Sequence, residues 1–374
     1  MDMDPPADVT GEFGRAASDG RLAIMVGDRV DGETVTGFAY VPASGRGYPA
    51  PEDDRLLVEE DDDPQAPPDR PVPAPVPGAE FPVERCGRTP LQLLPDDRQS
   101  DAKDIAEHLE NSVRRAVFGA PPEGRFHAEL QSRVAGMGHQ MWLAGGAVRD
   151  LIADGADANV HDLDFSGTVP PGLMSATAHA ALVRSGIGDC RPRVSEGMVC
   201  SIKLPGRKDR LLEYKPLTLK RYRFPAFGGD LQVDAQTRDL TVNTLLFDLQ
   251  NTKVLDPLGR GLAHLRARPR VLEVPYAHND PVELATIVLR AIKFVARWSD
   301  AGMVLHLEEL HSWIGRLPAD LVASIPSAAW PGIHTARRFT FDGIPAERQR
   351  RTADELGPVP GALIAELDAQ RSGR

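Results

Sequence analysis

The sequence predicts an α+β fold: a mixed sheet with helices, followed by a shorter helical region. Three observations carry that reading. Across residues 99–270 short apolar runs of strand length are interleaved with stretches of helical periodicity. Past residue 271 helices dominate, with Leu284–Trp298 as the longer amphipathic element. No apolar run approaches the ~20 residues that span a bilayer, so a membrane class is excluded, as are collagen-like and coiled-coil classes. No internal repeat is visible.

Four segments follow in chain order. Residues 1–58 read as a small β module: Arg21–Val26 and Thr34–Tyr40 alternate, with Gly27-Asp28 and Asp31-Gly32 between them. Residues 59–98 read as a semi-rigid tether. Glu59-Glu60-Asp61-Asp62-Asp63 repels itself, and Pro64, Pro67, Pro68, Pro71, Pro73, Pro75 and Pro77 withhold backbone donors. Residues 99–270 form the main globular segment. Within it, Ile105, Leu109, Val113 and Val117 mark a helix over Asp104–Phe118, Met141–Ala144 is a buried strand, and Val148–Ala153 a helix. His161–Ser166 reads as a strand, Ser175–Ser185 as a helix, and 198–204 pairs with 210–215 across Pro205-Gly206. Asp239–Phe247 is expected to be a helix opening a hairpin that turns at Asn251-Thr252. Residues 271–374 are the helical neck or body.

Charge is unevenly divided. The net charge is −11, yet residues 1–100 hold 21 acidic residues against 9 arginines, and the remainder is close to neutral. The acidity therefore belongs to the N-terminal quarter, and the rest can approach a polyanion where its basic residues cluster. Three cysteines without metal-ligand spacing, and a start lacking basic and apolar leader regions, point to a reduced, cytoplasmic setting.

The chemistry concentrates at two short motifs. In Asp162-Leu163-Asp164 the two acids are i and i+2 on a predicted strand, so both carboxylates share one face. Paired like charges call for a counter-cation, and oxygen-only ligands suit Mg²⁺ with substrate phosphates. Upstream, Gly145-Gly146 joins a strand to a helix, where a backbone without Cβ atoms can approach a phosphate. Arg149 sits on the first turn of that helix.

These motifs resemble the nucleotidyltransferase head of the polymerase-β superfamily, and among its members the class II tRNA CCA-adding enzymes and bacterial poly(A) polymerases. The resemblance runs over roughly residues 130–300. It rests on Leu143–Asp150, Asp162–Asp164, Arg238–Asn243, Leu255–Gly259 and Leu289–Phe294. It implies a polymerase-β-like head followed by a short helical neck. It also implies that Asp162 and Asp164 hold two Mg²⁺ ions, and that Gly145, Gly146 and Arg149 grip the triphosphate of an NTP. Arg238, Asp239 and Asn243 would surround its ribose and phosphates. A third carboxylate comes from a later strand in such enzymes; Glu213 is the candidate, as metal ligand or base, against the alternative of a solvated hairpin residue.

The partners implied are an NTP and an RNA 3′ end, with tRNA as one candidate and no membrane. Lys203, Arg207, Lys208, Arg210, Lys215, Lys220, Arg221 and Arg223, interleaved with Tyr214, Tyr222 and Phe224, suit single-stranded RNA. A charged hairpin edge guarded against aggregation is the equal alternative. Members of the family read the incoming base with a Glu-Asp-x-x-Arg block. Here the string is Asn279-Asp280-Pro281-Val282-Glu283, which keeps Asp280 but replaces the arginine by an acceptor; Arg290 comes seven residues later. Transfer of NMP to RNA with ATP preferred and no ordered C-C-A addition is therefore expected. Transfer to a protein or small-molecule hydroxyl, or non-catalytic RNA binding by the same fold, are the alternatives.

Overall fold

The computed structural model describes residues 94–372 except 120, 156–157, 159, 161–162, 170, 188–189, 195–198, 208–209, 218–225, 228–229 and 278, together with the pairs 29–30, 33–34 and 38–39. Asp162, the expected strand over 21–26, most of the tether and the basic run at 218–225 lie outside those residues. Near the N-terminus β1 (Arg29–Val30) pairs antiparallel with β2 (Glu33–Thr34), and β3 (Phe38–Ala39) pairs antiparallel with β10 (Ala226–Phe227).

The described residues divide into two compact units. One runs to Ala235 and adds Thr244–Gly259; the other holds Gln236–Asn243 and the chain from Arg260 onward. The first unit is built on one mixed, eight-stranded sheet. Its members are β4 (Gln99–Asp101), β5 (Met141–Ala144), β6 (Asp164–Gly167), β7 (Arg193–Val194), β8 (Cys200–Lys203), β9 (Arg210–Pro216), β11 (Leu246–Asp248) and β12 (Lys253–Leu255). They lie in the order β4-β12-β11-β5-β6-β9-β8-β7. Only β6 and β9 run parallel; every other neighbouring pair is antiparallel.

One face of this sheet is covered by helices Glu123–Gly136 and Pro171–Ser185. Phe126, Leu130, Val134, Met174, Ala178, Ala181 and Leu182 are buried there. The His127 ring stands 5.4 Å from the Phe165 ring, and the Tyr214 hydroxyl donates to Val169 O at 2.8 Å. On the other face Trp142, Ala144, Leu246 and Leu255 join Leu94, Leu217 and Leu231 in a smaller apolar cluster.

The expected α+β class holds. The strand over Met141–Ala144 and the hairpin around Pro205-Gly206 form as anticipated. Thr252 takes a positive φ of 56°, and Asp248 Oδ1 accepts from the N–H groups of Gln250 and Asn251, which closes the β11–β12 turn. The expected helix over Asp239–Phe247 is a correction. Thr241–Asn243 is a single 3-10 turn, and Leu246–Asp248 is strand β11. β-branched Thr241, Val242 and Thr244 weaken a helix there, and pairing of Leu246 with both Ala144 and Leu255 decides for the strand. The expected helix over Asp104–Phe118 breaks at extended Ala106 into Ala102–Ile105 and Leu109–Phe118. Its first turn is tied to the hairpin by Ala102 N–H donating to Thr252 O, a tertiary bond that periodicity does not announce.

The second unit is mainly helical. Pro281–Asp300 is its longest helix, with Asp280 as N-cap and proline in the first turn. Five more helices lie between Glu308 and Ser372, and β13 (Arg270–Val271) pairs parallel with β14 (Leu305–His306). Asp368 binds Arg337 at 2.8 Å and Arg350 at 2.7 Å, tying three of these helices together.

His127 makes the first unit sensitive to acid. Its ring is buried, its Nδ1 has no hydrogen-bond partner, and burial lowers its pKa from 6.5 to about 4. As pH falls, the unfolded chain takes up this proton before the folded one. The contribution is whole above pH 6.5 and is lost between there and about pH 4. Urea unfolding at pH 7.5 and 4.5 is expected to show a loss of ~2–3 kcal/mol from this group. His127→Phe, which keeps an aromatic against Phe126 and Phe165, should remove that increment.

Candidate active site on the sheet

Two carboxylates meet where β6 and β9 run side by side. Their register sets Asp164 opposite Glu213 and Phe165 opposite Tyr214. Residues opposite one another project from the same face of a sheet, and the next pair projects from the other. The sequences Asp164-Phe165 and Glu213-Tyr214 therefore sort themselves: both aromatics are buried beneath the helices, and both acids point to the opposite face. Glu213 keeps 38% of its side chain exposed, enough to meet a solute, and Asp164 is half-buried. Arg210 donates to a Glu213 carboxylate oxygen from the start of the same strand.

Ala144 of β5 lies opposite Asp164 on the other side, so the turn that follows β5 opens directly beside that carboxylate. Gly145 has φ +65°, and a Cβ there would stand 3.0 Å from Asp164 Oδ2. A side chain there is thus strained by the backbone conformation and crowded by the neighbouring acid. Helix Gly145–Ala153 starts at this turn and directs its first N–H groups, the positive end of its dipole, to that region. Arg149 donates to Asp150 through Nε (2.7 Å) and Nη2 (2.9 Å), a bidentate pair that fixes the guanidinium plane. A Cβ on Gly146 would lie 3.5 Å from Arg149 Nη2, in ordinary contact.

The donor chemistry of Asp164 and Glu213, oxygen-only and anionic, fits a hard divalent cation. Among the described residues no group of three or more His, Cys, Asp or Glu comes together as a metal cluster. Asp162, the expected partner of Asp164, lies outside them.

The second unit brings together the expected Asp239, Asn243 and Arg290. Asn243 Nδ2 donates to both Asp239 oxygens at 3.1 Å, Leu240 N–H to Oδ1 at 2.9 Å, and Arg290 Nη1 to Oδ2 at 3.0 Å. Burial pushes the Asp239 pKa up, but the charge and hydrogen bond of Arg290, with those of Asn243 and Leu240, outweigh it and hold the pKa below the ordinary value. The i, i+4 juxtaposition of Asp239 and Asn243 thus arises from a 3-10 turn instead of a helix. Arg238 is half-buried beside them. The turn is braced by Thr241 Oγ1, 2.9 Å from His264 Nδ1, and by Thr241 N–H donating to Glu273 O. Spacing alone did not assign His264 that role.

The expected base-reading string has a structural task of its own. Asp280 Oδ1 accepts from the N–H groups of Val282 (2.9 Å) and Glu283 (3.0 Å), capping the longest helix. Glu283 hydrogen-bonds the buried Tyr276 hydroxyl. Burial and the charges of Glu283 and Asp280 raise the pKa of that hydroxyl. Sequence reasoning did not single out Tyr276, and it placed Arg210 only in the basic stretch, not beside Glu213.

The Poly A polymerase head domain family matches residues 141–270, the span that contains β5, the Gly145-Gly146 turn, Asp164 and Glu213. The chain is also similar to the "Multifunctional CCA protein" of Stenotrophomonas maltophilia, 27% identical over 238 residues, covering 62% of this chain and 52% of that one. Among solved structures, the CCA-adding enzyme of Bacillus stearothermophilus in complex with CTP is 19% identical, with a TM-score of 0.44, covering 63% of this chain and 52% of that one. The Thermotoga maritima CCA-adding enzyme with tRNA is 16% identical, with a TM-score of 0.39, covering 72% and 54%. The chain spans about half the length of these relatives.

The two glycines of the β5 turn are expected to respond differently to substitution. Gly145→Ala forces a Cβ into the left-handed region and against Asp164, and should lower unfolding stability by ~1–2 kcal/mol. Gly146→Ala, with ordinary backbone and contact, should leave the urea midpoint nearly unchanged. Equal midpoints for the two variants would contradict the close approach of Asp164 to this turn.

Proposed function

We propose that this chain is a Mg²⁺-dependent nucleotidyltransferase that moves a nucleoside monophosphate from an NTP, ATP favoured, to an RNA 3′ hydroxyl, with tRNA as the candidate acceptor. One observation carries the reading: Asp164 and Glu213 stand in register on parallel strands, beside a glycine turn cleared of side chains, within the segment that matches the Poly A polymerase head domain family. The CCA relative's name supports an RNA acceptor.

In this reading Asp162 and Asp164 hold the metal, and Glu213 ligates it or takes the proton of the attacking hydroxyl. Mg²⁺ bound there supplies charge neutralisation at the triphosphate and acidifies the acceptor hydroxyl. Gly145 and Gly146 admit phosphate oxygens to the helix N-terminus, and Arg149, oriented by Asp150, meets their charge. In the second unit Arg238, Asp239, Asn243 and Arg290 are the groups for ribose and phosphate. The proposed organisation is an N-terminal module over 1–58, a tether over 59–98, a head over 99–270 and a neck over 271–374, in the cytoplasm. Buried Cys190 and Cys200, present as thiols, are consistent with that location.

Base choice follows from acceptor chemistry. Asp280 caps the helix through Oδ1 and Glu283 accepts from the Tyr276 hydroxyl, and both carboxylates offer only acceptor oxygens, so bases bearing an exocyclic amine are favoured and carbonyl edges are repelled. Adenine, with no carbonyl, suffers least. A second reading, RNA binding without catalysis, is favoured by the ion pair of Arg210 with Glu213, which competes for the carboxylate a metal or proton needs.

Labelled NTPs, Mg²⁺ and an RNA primer decide between them. Wild type should incorporate AMP best and UMP least, Asp164→Ala should lose at least ~10³-fold in rate while unfolding normally, and Glu283→Arg should shift incorporation toward CMP. Undiminished transfer by Asp164→Ala would overturn the catalytic assignment; no transfer by wild type would favour the second reading.

A further inference from the structure

The register of the sheet extends the site in a direction that the carboxylates alone do not reveal. Opposite Glu213 on β8 stands Ser201, and opposite Ser201 on edge strand β7 stands Arg193. Arg193, Ser201, Glu213, Asp164 and Ala144 thus form one row across five strands, all projecting from the same face. At ~4.8 Å per strand, Arg193 is roughly 10 Å from Glu213 and roughly 14 Å from Asp164 along the row.

The two sides of Asp164 differ in chemistry. Toward β5 lie Ala144 and the Gly145 turn, where phosphate can approach a helix N-terminus. Toward β7 the described residues of 190–217 carry Arg191, Arg193, Lys203, Arg207, Arg210 and Lys215 against one acid, Glu213. Arg207 is paired with Glu123 and Arg210 with Glu213, while Lys203 and Lys215 are exposed. The far flank is not basic: β4, β12 and β11 carry Asp101, Lys253 and Asp248. A nucleotide's phosphates and a polyanionic strand therefore have separate approaches, one on each side of the acid pair.

We propose that the acceptor RNA runs from the Asp164–Glu213 pair across β9, β8 and β7, with Arg193 binding an internucleotide phosphate near the sheet edge. Stacked single strand rises ~3.4 Å per nucleotide, so a span of roughly 14 Å sets that phosphate about four nucleotides before the 3′ end. The inference rests on the transferase reading above and adds the path and polarity of its acceptor. It also decides the role of Glu213: standing on the acceptor side of Asp164, it is the group that faces the attacking hydroxyl.

Primer length tests it. Transfer of AMP is measured on an RNA dinucleotide, too short to reach Arg193, and on a decanucleotide, with wild type, Arg193→Ala and Arg193→Lys. The ratio of the decanucleotide KM to the dinucleotide KM should rise about ten-fold in Arg193→Ala, as loss of one charged contact implies. Most of it should return in Arg193→Lys, with the KM for ATP moving equally on both primers. Decanucleotide binding should lose about 0.7 from its log–log salt slope. Lys203→Ala, at an exposed position on the same flank, should also raise the ratio and serves if Arg193→Ala does not fold. Transfer that proceeds with an unchanged ratio and slope overturns this path and leaves Arg193 as a charge guarding a sheet edge. Transfer to no RNA of any length overturns the function proposed above, and this inference with it.

Discussion

The parallel pairing of β6 with β9 sets Asp164 opposite Glu213, and a slip of one residue in that register would undo the site. Because side chains alternate between faces, such a slip would bring Tyr214 or Leu212 opposite Asp164 and turn Glu213 toward the helices. The register is held from the buried side. Phe165 and Tyr214 lie there side by side, the Tyr214 hydroxyl reaches Val169 O, and Ser166 Oγ donates to Lys215 O. Burying two large aromatics in this way stabilises by several kcal/mol, which offsets the cost of holding two acids together on the other face, where Arg210 pairs with Glu213.

A second constraint is local to the other unit. Asp239 is buried yet ionised because every neighbour supplies a donor: Leu240 N–H, Asn243 Nδ2 and Arg290 Nη1. Arg290 is itself half-exposed, so the cluster is a buried acceptor joined to a cation that reaches solvent. Such an arrangement fixes the 3-10 turn and still presents positive charge to solvent. His264 and Glu273 brace the same turn from behind.

Much of this was legible in the chain, and the remainder was hidden for identifiable reasons. Asp162-Leu163-Asp164, the Gly145-Gly146 turn and Glu213 stand out because their chemistry is local to a few residues. The helix over Glu123–Gly136 could have been read from Phe126, Leu130 and Val134, which lie at i and i+4. The false helix over Asp239–Phe247 could not have been corrected locally, because its outcome depends on pairing of Leu246 with Ala144, a hundred residues away. For the same reason the row from Arg193 to Asp164 has no signature in sequence: it exists only once three strand pairings are known. The capping duty of Asp280 was visible in Asp280-Pro281-Val282-Glu283, an N-cap followed by proline, but a resemblance to a base-reading block overshadowed it.

The proposed chemistry depends on divalent cation binding at the Asp164–Glu213 register beside the Gly145 turn. Iron-directed cleavage of the backbone tests it most directly: Fe²⁺ replaces Mg²⁺, ascorbate and peroxide generate radicals at the bound ion, and the cut sites are mapped by mass spectrometry. The account predicts cuts around Ala144–Gly145, Asp162–Asp164 and Glu213, suppressed by excess Mg²⁺ and absent in Asp164→Ala. Cuts confined to other strands, or an unchanged pattern in that variant, would contradict it.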